Sequence, residues 1–90
     1  MLAKLVEVYK VDTNNYNLRE IYVNPAQVVM VVEDPVTKVR LHEGQLPEDL
    51  DRRVEFSSMQ LSTGDNLTVV GEVFRVKSTL GLSSRDLLRG

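Results

Sequence analysis

The side chains best suited to recognition chemistry in this chain are five cations and three rings: Arg19, Lys38, Arg40, Arg52 and Arg53, with Tyr9, Tyr16 and Tyr22. A single nucleic-acid strand asks for such a set, because ammonium and guanidinium groups meet phosphates while aromatic faces stack on bases. The five cations are therefore the candidate RNA-binding residues. Each also has a plainer role, since outward Lys and Arg keep a sheet soluble and tyrosines fill gaps at the margin of a core. That plainer role is the commoner one.

Acid–base, nucleophilic and metal chemistry have less to draw on. His42 is the one histidine and there is no Cys, so neither a His cluster nor a thiolate metal site can be built. Glu48, Asp49 and Asp51 stand close together, but they share their loop with Arg52 and Arg53 and lack the ligand positions of a calcium loop. Gly64 belongs to neither of the two glycine patterns that cradle phosphates. The expectation is a non-enzymatic protein with no catalytic residues, no metal, no cofactor and no small-molecule substrate. Eleven basic side chains against thirteen acidic ones leave a net charge of -2, so no global field draws in a polyanion and any basic patch must be local.

The elements that must position these residues read as mostly β. Fifteen Val and two Ala favour a pleated sheet, where β-branched side chains pack well, over helix. Leu5–Val11 is a first strand, Asp12–Asn15 a turn, and Tyr16–Val23 a second strand with Arg19, Ile21 and Val23 on one face and Leu18, Glu20 and Tyr22 on the other. Asn24-Pro25 starts one short helical turn. Val28–Val32 follows, apolar at every position, so both of its faces need cover, as in a central strand of a closed barrel or a strand at a subunit interface. After Asp34-Pro35, the alternation of Val39 and Leu41 with Lys38, Arg40 and His42 predicts a fourth strand over Val36–Glu43, with His42 exposed on its polar face and Gly44 closing it.

Gln45–Arg53 is a polar surface loop. In the next strand Val54 and Phe56 have one parity and Met59 and Leu61 the other, and a β-bulge at Ser57-Ser58 would bring both pairs to one side and bend the strand sharply. Ser62–Asn66 turns into Leu67–Val70. Gly71 breaks the strand, and Val73–Val76 is read as its continuation, although Val73, Val76 and Leu80 also have helical spacing. The domain spans 1–80, and 81–90 is a tail, either a short helix or disordered.

At Met59–Val70 the chain resembles the second signature of Sm-like (LSm and Hfq-type) proteins: an apolar strand, a Gly64-Asp65-Asn66 turn and a second apolar strand. Thr63 stands where that family places an RNA-contacting Arg. The resemblance implies an all-β fold, a small, strongly bent antiparallel barrel of five to six strands, that joins copies edge to edge as a homo-oligomeric ring and acts on RNA; the missing Arg removes the fork-shaped contacts of that site. Small phage-encoded proteins can look like this. A second likeness, through Tyr22-Val23-Asn24-Pro25 and Leu61–Val70, is to short phage and FlbD-like flagellar proteins. The expected partners are a second copy of the chain and, through the five cations, RNA; the alternative is a structural or protein-interaction module of a phage with no nucleic-acid affinity. The longest apolar run is far short of the ~20 residues that cross a bilayer, so the expected setting is cytoplasmic, or the host cytoplasm for a phage protein.

Overall fold

The computed structural model describes residues 1–13, 15–47, 50–51 and 53–81. Five antiparallel strands form one sheet: β1 (Ala3–Lys10), β2 (Tyr16–Val23), β3 (Val28–Glu33), β4 (Phe56–Leu61) and β5 (Asn66–Val70), in the spatial order β2-β1-β5-β4-β3. A 3-10 turn, Pro25–Gln27, precedes β3, and the described residues also form two helices, α1 (Pro35–His42) and α2 (Val73–Leu80). The sheet is open. β2 and β3 are its two edges, where the expected barrel would have closed on itself.

Local signals explain most of the boundaries. Asp12 holds the β1–β2 turn by accepting from the Asn15 amide at 3.1 Å, and β1 and β2 then pair without interruption from Ala3↔Val23 to Lys10↔Tyr16. The Asn24 side chain accepts from the Ala26 amide at 3.0 Å and Pro25 opens the 3-10 turn, as expected of an N-cap followed by proline.

Two segments expected as strands are helices. The alternation of Val39 and Leu41 predicts a strand over Val36–Glu43, but Asp34 caps a helix there: its carboxylate accepts from the Thr37 amide at 3.2 Å and from the Thr37 hydroxyl at 2.8 Å, with Pro35 in the first turn. Thr37 and Leu41, four apart, are the buried pair, and Val36 and Val39 face outward. Lys38 and Arg40 thus lie on a helix and not on the outer face of a strand. Likewise Val73–Val76 does not extend β5. Gly71, at φ 125°, turns the chain, and α2 buries Val76, Lys77 and Leu80 before Gly81, left-handed at φ 76°, ends it by donating to the carbonyls of Lys77 and Ser78.

The parity slip in β4 is real, and its cause is two cores rather than a bulge. Phe56 packs with Val8, Leu41 and Leu46 on the face covered by α1 and the following loop. Met59 packs with Leu5, Val23, Val69, Val76 and Leu80 on the opposite face, under α2. β4 pairs with β5 in unbroken register from Phe56↔Val70 to Gln60↔Asn66, so nothing bulges at Ser57-Ser58. The irregularity sits in β3, between Val28 and Met30. The architecture is therefore helix, sheet, helix. The expected tail lies outside the described residues except for Gly81.

Candidate functional site

The cations singled out from sequence are dispersed. Arg19, on β2, donates from Nε to Glu7 Oε1 at 2.7 Å across the β1–β2 pair, with its guanidinium 4.6 Å from the centre of the Tyr9 ring. Glu7 is 8% exposed, a buried carboxylate whose cost this contact offsets. Arg40 lies 5.2 Å over the Tyr16 ring. Tyr16 packs on the α1 side and Glu7 shares its face with Val69 on the α2 side, so Arg19 and Arg40 occupy opposite faces of the sheet. Lys38 is ion-paired to Glu55. Arg53 meets Asp51 at 3.1 Å; its side-chain bond, and then its backbone amide, hold the Asp51 carboxyl below its ordinary range, and Arg53 is raised in return. Arg52 lies outside the described residues.

Of two hollows, one is mixed in sign and one is acidic. A cleft of ≈ 370 Å³ sets Arg53 and Arg75 among Asp51, Glu55 and Glu72. Another, of ≈ 310 Å³, is lined by Glu33, Glu55, Glu72, Phe56, Val73 and Phe74. Neither presents an uninterrupted positive field to a phosphate chain. His42 ends α1 and is exposed. Among the described residues no helix is long and apolar enough to cross a membrane.

No family model, curated protein or solved structure matches the chain. The site must be argued from its geometry.

That geometry is most unusual at β3. An edge strand exposes a row of backbone groups that can template further pairing, and soluble proteins blunt such edges with charge, proline or cover. β2, the other edge, follows the rule, with Asn17, Arg19, Glu20 and Tyr22 exposed along it. β3 does not. It has no charge from Val28 to Val32, and Val29, Met30 and Val32 are 61%, 47% and 42% exposed. Exposed Val36 and Val39 continue the apolar surface onto α1, and Phe74, 70% exposed, stands on α2 near the end of β3. An exposed apolar patch along a bare strand edge is the candidate site of this fold.

The lack of alternation in Val28–Val32 signalled this need for cover, although for a central strand as much as for an edge. Val36 and Val39 were missed because they were counted on a strand, and Glu7 was missed as the partner of Arg19. The signals existed: a proline directly after an Asp, valines three apart, and an acid set between two valines facing an Arg one hairpin away.

Proposed function

We propose that this chain is a non-catalytic assembly module that joins other copies of itself edge to edge through β3. The observation that carries this reading is the contrast between the two edges, one charged and one bare. Backbone pairing along β3 would satisfy its outward amides and carbonyls, and burial of Val29, Met30 and Val32 would add the apolar gain, as when a strand is added to an exposed sheet edge. The Sm-like resemblance enters through this mode of assembly, which needs a free strand edge and no closed barrel.

RNA binding stands second. Arg19, Lys38 and Arg53 each face a carboxylate, and Arg40, over Tyr16, is on the far side of the sheet from Arg19. Assembly would repeat these cations from copy to copy, which is how weak single contacts gain weight.

Native mass at micromolar concentration tests the first reading. A multiple of the 10.2 kDa chain is expected, reduced to the single chain by Met30→Lys without loss of the folded signal. A single-chain mass for the unaltered protein would overturn it, and salt-sensitive capture of a U-rich oligomer by that monomer would favour the RNA reading instead.

A further inference from the structure

The two edges differ in a way that also decides the symmetry of the assembly. A ring of this fold needs each copy to lay β3 against the β2 edge of the next, a heterologous contact. That would set Met30 and Val32, on the α1 face, against Leu18, Glu20 and Tyr22 of β2, leaving the Glu20 carboxylate beside a newly buried apolar strip. A β3 edge is better matched by another β3 edge, which is apolar and carries no charge before Glu33.

The backbone of β3 narrows the register. The Asp34 amide donates to the Phe56 carbonyl at 3.0 Å, so Asp34 faces β4. Backbone direction alternates along a strand, so Val32 and Met30 also face β4, while the amides and carbonyls of Val31 and Glu33 face the open side. An antiparallel self-pair centred on Glu33 would oppose two like charges, and one centred on Val32 would run into Asp34 and the start of α1. One centred on Met30 would carry the pairing across the whole irregular step between Val28 and Met30, whereas one centred on Val31 reaches no further than Val29. Centred on Val31, each Glu33 falls opposite the partner's Val29, and each Val32 opposite the partner's Met30. In that register two Val32 and two Met30 side chains meet on the α1 face, flanked by Val36 from each copy.

We infer that two copies pair through β3 about a two-fold axis at Val31, joining their sheets into one of ten strands. The inference rests on the assembly reading and specifies its partner and its symmetry: a closed dimer in place of the expected ring.

Disulfide trapping tests it cleanly, because the chain has no cysteine of its own. In the full chain under mild oxidation, Val31→Cys should link to itself, since hydrogen-bonded antiparallel partners have Cα atoms ~5.5 Å apart, within disulfide reach. Val32→Cys alone should stay unlinked, its two copies lying about 8 Å apart across the axis. Met30→Cys/Val32→Cys should again give a covalent dimer, which keeps the test valid should Val31→Cys fold poorly. An oligomer that links at neither Val31 nor the Met30/Val32 pair, or that links into ladders beyond the dimer, overturns the two-fold axis and leaves edge assembly standing. A single-chain native mass overturns both.

Discussion

Val8 and Val69 offer a direct test of the two-core architecture. Glu7 lies opposite Val69 in the β1–β5 pair, so Val8, the next residue, points to the other face. Val8 is 7% exposed and packs with Leu41, Leu46 and Phe56, while Val69 is fully buried among Leu5, Val23, Met59, Val76 and Leu80. Replacing either by Ala removes the equivalent of two methylene groups, about 1.6 kcal/mol of transfer free energy, and leaves a cavity, for a total of about 2 to 3 kcal/mol each. In a domain of this size that lowers Tm by roughly 10 to 20 °C. The two side chains share no cluster, so Val8→Ala/Val69→Ala should lose the sum of the single losses to within about 0.5 kcal/mol. Denaturant unfolding of the four proteins measures this. In a barrel with one interior, neighbours of opposite parity cannot both point inward, and one substitution would then cost no more than about 0.5 kcal/mol, as at a surface. That outcome, or a coupling above about 1 kcal/mol, would refute the helix-sheet-helix arrangement.

Two further predictions concern the turns that replaced expected strands. Asp34→Ala deletes both contacts to Thr37 and should cost about 1 kcal/mol, read as a lower denaturant midpoint, whereas a strand at Val36–Glu43 would leave the midpoint unmoved. Gly71→Ala should cost about 1 to 3 kcal/mol by the same measurement, because φ 125° is a region that L side chains rarely adopt and the new Cβ would sit 3.4 Å from Val76 Cγ2.

Legibility in the sequence followed the range of the signal. The β1–β2 hairpin, the Asn24-Pro25 turn and the β4–β5 hairpin were readable because a capping side chain, a proline or a glycine-containing turn acts within a few residues. α1 was not, because Val39 and Leu41 alternate over too few residues to separate a period of two from a period of 3.6, even though Asp34-Pro35 carries the same cap-and-proline signature as Asn24-Pro25. The parity change between Phe56 and Met59 was visible and its meaning was not, since a bulge in one strand and a sheet buried on both faces write the same pattern. Of the site, the need to cover Val28–Val32 was legible. That β3 stands at an edge depends on β1 pairing with β5, a contact between distant parts of the chain that no local pattern records.

That same contact divides the sheet into two pieces of unequal independence. β1–β2 is one hairpin and β3–β4–β5 a second unit of neighbours in sequence, and the ladder between them registers at Glu7↔Val69 and Val8↔Thr68. The β1–β2 and β4–β5 hairpins close over short turns and β3–β4 over the α1 segment, 34–55, whereas the seam must close a loop spanning most of the chain. Side chains on the α2 face close it, Leu5 and Val23 from one piece meeting Met59 and Val69 from the other. Joining the two pieces is then the slow step of folding, and until it is complete the second piece carries two bare edges, β3 and β5. The strand that would bring finished copies together is thus also the one through which unfinished chains would meet, so the proposed assembly surface and the folding hazard would be the same few residues.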